Sequence, residues 1–189
     1  MPKIADIQET PNPNAVKFIL KEAVSHGTSH SFDTASAGQN DKLAKALFDI
    51  GDVVSVFYMD KMITVEKIDE ADWDEILPLL AVPIRAAESV NGVASTNGSA
   101  AKELGGAIAA AASDNPVIGQ INELLDERIR PYLAGDGGWL EILDLEDKTL
   151  KIRYQGACGS CPSSLTGTLM AIENMIKDEI DPEIEVVAV

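Results

Sequence analysis

The chain of 189 residues holds two cysteines, Cys158 and Cys161, in the run Gly156-Ala157-Cys158-Gly159-Ser160-Cys161-Pro162. A spacing of two residues lets both sulfurs converge on one centre. The flanking periodicity puts the pair between a strand and a helix. A thiol at a helix N-terminus meets unpaired backbone N–H groups and the positive end of the dipole. Both favour thiolate, the form that binds metal or attacks a disulfide. Pro162 suits a first helical position, where no N–H is needed. Gly156 and Gly159 allow a tight turn and close approach to a bound group. Four readings stay open on spacing alone: an iron–sulfur cluster, a redox dithiol, a zinc site and an inert pair.

Counting ligands sharpens the first. A cubane cluster or a closed zinc site takes about four protein ligands. One chain supplies two thiols, and its histidines, His26 and His30, lie far away in sequence. A cluster would then sit on the two-fold axis of a homodimer, where four cysteines meet.

Other chemistry-bearing residues have plainer readings. His26 and His30 are spaced for one helical face, but Gly27, Thr28 and nearby serines argue for a solvated loop. Asp136, between glycines, reads as a turn residue. Asp69, Glu70, Asp72, Asp74 and Glu75 read as the solvated start of a helix. Arg128 and Arg130 are read as helix-surface residues or contacts to a partner. Trp73 and Trp139 are read as core or interface anchors. No Ser/His/Asp arrangement, phosphate loop or dinucleotide fingerprint is present; a cluster-binding pair predicts a carrier that is not an enzyme, a redox dithiol an enzyme.

The elements that must position these residues form an α+β protein of two small domains. In the first (1–88), strands are expected near Ile4–Glu9 and over Val16–Leu20, around the turn Thr10-Pro11-Asn12-Pro13-Asn14. A helix follows over Asp41–Ile50, then a hairpin of Val53–Met59 and Met62–Ile68, then a helix over Asp72–Ala86. Pro78 and Pro83 predict a kink or an early end to that last helix. The order is β-β-α-β-β-α. Residues 89–114 are rich in Ala, Gly and Ser and read as a flexible linker, with a helical turn or two over Ala107–Ala112. In the second domain (115–189), a helix starts near Pro116, with Asn115 or Asp114 as cap, and carries Ile118, Ile121, Leu125 and Ile129 on one stripe. A turn at Gly135–Gly138 leads into a hairpin of Trp139–Leu145 and Thr149–Gln155. A helix over Ser163–Glu179 (apolar at Leu165, Leu169, Ile172 and Ile176) and a strand at Ile184–Ala188 complete α-β-β-α-β.

A net charge of −16, spread over both halves, disfavours binding to nucleic acid or an anionic membrane. No apolar run reaches the roughly 20 residues needed to cross a bilayer. The N-terminus shows neither a signal core nor an Arg-rich presequence, so the expected location is the cytoplasm, or an organelle matrix if the chain is a processed form.

Two motif sets carry a family resemblance. Asp126-Glu127-Arg128-Ile129-Arg130-Pro131, Asp136-Gly137-Gly138 and Gly156–Ser164 closely resemble the NifU C-terminal-like domain. Thr10–Asn14 with Lys17-Phe18, then Leu47-Phe48, Val56-Phe57, Ile63-Thr64-Val65 and Trp73, resemble the Nfu N-terminal domain. The resemblance implies an Nfu-type iron–sulfur carrier. Such a protein binds a 4Fe–4S cluster (with 2Fe–2S as the other form) between two subunits, here through Cys158 and Cys161. It would be loaded by an upstream assembly scaffold and would deliver the cluster to aconitase-like or lipoyl-synthase-like apo-proteins. The rival reading is a thiol–disulfide oxidoreductase using the same pair.

Overall fold

The computed structural model describes residues 1–89, 115–157, 159 and 162–189, with side chains from 167 onward in the last stretch. The chain divides into two compact units, Met1–Ala94 and Ser95–Val189. All of the expected linker except Ser89 lies outside the described residues, including the helical turn expected at Ala107–Ala112.

In the first unit, β1 (Ile4–Glu9), β2 (Ala15–Leu20), β3 (His30–Phe32), β4 (Val53–Met59) and β5 (Met62–Lys67) form one antiparallel sheet, ordered β1-β2-β5-β4-β3. Phe18 pairs with Ile63 and Ile63 with Tyr58, while Val16, Val65 and Val56 align beside them. One sheet face therefore carries a continuous apolar row. Against it pack α1 (Lys42–Phe48) through Leu43, Ala44, Leu47 and Phe48, and α2 (Trp73–Ala86) through Ile76, Leu80 and Ile84. Asp41 caps α1 by accepting from the Ala44 N–H at 2.7 Å, and Asp72 caps α2 through the Asp74 N–H at 2.8 Å.

Two expectations change here. Of the kink or early end expected from the prolines, the early end is absent: the second helix runs through Pro78 and Pro83 to Ala86, the bound expected for it. Burial of the Ile76–Leu80–Ile84 stripe outweighs the backbone bonds the prolines remove. The stretch read as a histidine-bearing loop also contains an extra strand, β3, on the β4 edge, so the order is β-β-β-α-β-β-α. Its approach is clipped to the β4–β5 turn: the Asp60 N–H donates to Ser25 Oγ at 2.7 Å and the Gly27 N–H to Asp60 Oδ1 at 2.6 Å.

In the second unit, α3 (Pro116–Arg128) begins at the Asn115 cap, whose side chain accepts from the Val117 N–H at 3.0 Å. It stops at Ile129, and a short α4 (Arg130–Gly135) follows. Pro131 has no N–H for the carbonyl of Glu127 and would clash with it, which separates the two helices. Then come β6 (Gly138–Glu146), β7 (Thr149–Gly156), α5 (Pro162–Glu179) and β8 (Glu185–Ala188). The order is thus α-α-β-β-α-β. The β6–β7 turn holds Asp147 and Lys148 at positive φ (45° and 70°), the mirror-image geometry suited to two-residue hairpins. β8 lies parallel to β7, making β7 the central strand of three and α5 a crossover helix. The core gathers Ile121, Leu125, Leu140, Leu150, Ile152, Ile172 and Ile176.

Candidate metal centre

The hairpin and the crossover meet at the cysteine loop. β6 opens at Gly138, paired with Gly156 at the end of β7. Gly137, at φ 78°, takes the left-handed position after α4, and its N–H donates to Ala134 O at 3.2 Å. Its carbonyl accepts from the Ala157 N–H at 3.2 Å, tying the Asp136–Gly138 corner to the residue before the first cysteine. Gly156 sits at φ 69°, a conformation an L side chain resists. The Gly159 N–H then returns to Gly156 O at 3.0 Å. A Cβ on Gly159 would lie 3.3 Å from Tyr154 O and 3.4 Å from Gly156 O, so the backbone doubles back closely there. Helix α5 starts at Pro162. Cys158, Ser160 and Cys161 themselves lie outside the described residues, as do the side chains of 162–166, Leu165 included. What the structure defines is the frame: the end of a central strand, two glycine-dependent turns and a helix N-terminus within four residues of Cys158.

Around this frame the arginines are structural. Arg130, with 11% of its side chain exposed, donates from Nε to Leu140 O (3.1 Å), from Nη1 to Asp126 Oδ1 (2.6 Å) and from Nη2 to Asn122 Oδ1 (3.0 Å). Its guanidinium also lies 5.3 Å from the Trp139 ring centre. It thereby joins α3, α4 and β6. Arg128 bonds Glu179 at 2.7 Å and links α3 to α5. Sequence reasoning did not single out Gln155, which is 6% exposed just before Gly156. Its Nε2 donates to Glu141 at 3.0 Å, and its Oε1 is buried without a partner among the described residues. A polar residue at the end of a strand beside a glycine-rich turn was the available signal.

Among the described residues, no group of three His, Cys, Asp or Glu side chains is placed to hold a metal. His26 is exposed in a loop, while His30 lies in β3 with its ring stacked on Tyr58 at 4.5 Å. The two do not share a helix face. Burial pushes the His30 pKa down, against the opposing pull of the Asp41 carboxylate. Asp136 occupies the C-cap of α4. Asp74 and Glu75 lie in the first turn of α2, as the acidic run suggested. Trp73 donates from Nε1 to Pro13 O at 3.1 Å. No described helix is long and apolar enough to cross a membrane.

Comparison with known proteins places both halves. Residues 4–89 match the family described as scaffold protein Nfu/NifU N terminal, and residues 121–187 match the NifU-like domain. The chain is 37% identical over 179 residues to the Homo sapiens protein named NFU1 iron-sulfur cluster scaffold homolog, mitochondrial, covering 94% of this chain and 68% of that one. It is 36% identical over 173 residues to NifU-like protein 5, mitochondrial, of Arabidopsis thaliana, covering 89% and 62%. The chain thus spans about two thirds of the length of these relatives. A solution structure of a NifU-like protein from Saccharomyces cerevisiae is similar at 25% identity, over 43% of this chain and 74% of that one, with a TM-score of 0.40.

Proposed function

We propose a function from one premise: the chain belongs to the Nfu family, an Nfu/NifU N-terminal scaffold domain followed by a NifU-like domain. It is an iron–sulfur cluster carrier, not an enzyme. The observation that carries this reading is the Cys158-x-x-Cys161 pair inside the matched NifU-like region, framed by the end of β7 and the start of α5. The cargo is a 4Fe–4S cluster bound by Cys158 and Cys161 of two subunits, with 2Fe–2S as the alternative form. The relatives' names, which describe scaffolds for such clusters, support the cargo class.

Release proceeds by ligand exchange. Each cysteinate–iron bond breaks as a client thiolate forms its own, and no electron need change hands. Because the site is shared between subunits, its weak point is the interface. The donor is an upstream assembly scaffold, and the clients are apo iron–sulfur proteins such as aconitase-like and lipoyl-synthase-like enzymes. Residues 1–88 recruit, 115–189 hold the cluster, and 89–114 tether the two so that a captured client meets the cluster at raised effective concentration. The relatives are named as mitochondrial, which agrees with the organelle-matrix expectation and lends nothing to the cytoplasmic one.

The test is anaerobic reconstitution with iron, sulfide and zinc quantitation, Mössbauer spectroscopy and solution mass. The expected product is brown and dimeric, with about one cubane cluster per two chains, and Cys158→Ser or Cys161→Ser abolishes it. A colourless zinc-containing dimer would overturn the reading in favour of a structural site. Disulfide turnover lost in Cys158→Ser, with no bound iron, would establish the oxidoreductase instead.

A further inference from the structure

The first unit carries a groove that the cluster chemistry does not use. It encloses about 640 Å³ between the β1–β2 turn and the start of α2. Its walls are Ile7, Pro11, Pro13, Trp73 and Leu77, and Glu9 and Asp74 also line it. The walls are held from behind. The Thr10 hydroxyl lies 2.9 Å from Asn12 O and 3.0 Å from Ala15 O. The Asn14 N–H donates to Asn12 Oδ1 at 3.0 Å, and Asn12 Nδ2 to Glu66 at 3.2 Å. Trp73 is pinned by its bond to Pro13 O, with the Lys67 ammonium 5.3 Å from its ring centre. A preset apolar trough of this size accepts a few side chains without reorganising. Ile7 is 42% exposed in it. Glu9 and Asp74 are exposed, and neither forms an ion pair among the described residues.

The charge selects the occupant. Glu9 and Asp74 favour a Lys/Arg-rich segment over one from a second copy of this chain, whose 31 acidic residues outnumber its 15 basic ones. The chain's own 89–114 stretch has one cation, Lys102. Nucleic acid is excluded by the same sign argument. We propose that this groove docks a short polypeptide segment of a partner protein, presenting an apolar side chain to Trp73 and flanking Lys or Arg residues to Glu9 and Asp74. That the partner is a cluster client rests on the carrier reading above, whereas the groove's preference does not. The turn Thr10–Asn14 and Trp73, prominent in sequence, then share one task.

The test follows the Trp73 indole N–H resonance of the full chain, assigned by its loss in Trp73→Phe. Two synthetic peptides with the same leucine-rich centre are titrated in, one flanked by lysines and the other by glutamates. The lysine peptide is expected to shift the resonance saturably and in a salt-sensitive way, and the glutamate peptide to bind at least about tenfold more weakly. Glu9→Lys with Asp74→Lys reverses the preference, and the milder Glu9→Gln with Asp74→Asn removes it. Glu123→Lys with Asp178→Lys, the same charge change on exposed residues of the second unit, leaves the preference intact. Equal shifts with both peptides, no shift with either, or loss of preference in the remote pair would overturn the proposal. So would movement of the resonance with protein concentration alone, which would put a second copy in the groove. A Cys158→Ser, Cys161→Ser double variant should bind the lysine peptide unchanged, so failure here and failure to bind a cluster are read separately.

Discussion

At the scale of single residues, the first unit has a part-buried polar couple that sets its response to pH. The Tyr58 hydroxyl donates to Asp41 Oδ2 at 2.6 Å while Asp41 Oδ1 caps α1. Burial, the hydrogen bond to Asp41 and the charge of that carboxylate, in that order, hold the phenol well above its ordinary value of 10.0. The folded state thus favours protonated Tyr58, a contribution present below about pH 10 and lost as pH rises beyond it. His30 has the opposite sense. Its folded pKa lies below the ordinary 6.5, so the unfolded chain takes up the proton first. That contribution is present above pH 6.5 and is lost as pH falls below it. Urea unfolding of the first unit should therefore show a stability plateau that declines on both sides. His30→Phe, which keeps an aromatic ring beside Tyr58, should flatten the acid limb. Tyr58→Phe should flatten the alkaline limb and cost about 1–2 kcal/mol at neutral pH, by leaving a carboxylate oxygen of Asp41 without its donor.

At the scale of elements, the second unit depends on a clamp and a turn. Arg130 holds α3, α4 and β6 together through three hydrogen bonds that an ammonium cannot reproduce in one geometry. Arg130→Lys should destabilise the second unit by about 2 kcal/mol in urea titrations, and iron content should fall with the folded fraction. Gly156 tests the loop more selectively. At φ 69°, a methyl group costs on the order of 1 kcal/mol and re-aims the chain just before Cys158. Gly156→Ala should keep the helical and sheet signal of the second unit while lowering bound iron per chain after reconstitution. Unchanged iron stoichiometry would show that the turn does not aim the thiols.

At the scale of the whole molecule, the ligand count governs. If the proposed shared site holds, two thiols per chain would make cluster binding and pairing of chains one equilibrium. Sedimentation of reconstituted protein should give the mass of two chains, and stripping iron with a chelator should shift it toward one. A dimer equally stable without iron would separate assembly from cargo. The tether role proposed for residues 89–114 predicts a further dependence: shortening them should slow delivery to a client that engages the first unit, with little effect on cluster binding itself.

The amino-acid sequence by itself determined what local pattern can encode. The close thiol pair flanked by glycines, the Pro/Asn turn, both hairpins, the apolar helix stripes and the Asn115 cap were legible, since capping, periodicity and turn residues act within a few positions. The α+β class and the family followed from them. Tertiary structure decided the rest. β3 spans three residues, too few to show a period, and exists because β4 offers an edge. The parallel pairing of β8 with β7 joins segments separated by a helix, a choice that no window along the chain contains. The split at Ile129 needed Pro131 to be weighed against an apolar stripe that runs straight past it. Arg130 read as a helix-surface cation or a partner contact because its own partners lie on two other elements, α3 and β6. The groove at Trp73 likewise forms only when β1, the proline turn and α2 converge. A side chain's type is written locally, but its partners are set by the packing of distant segments.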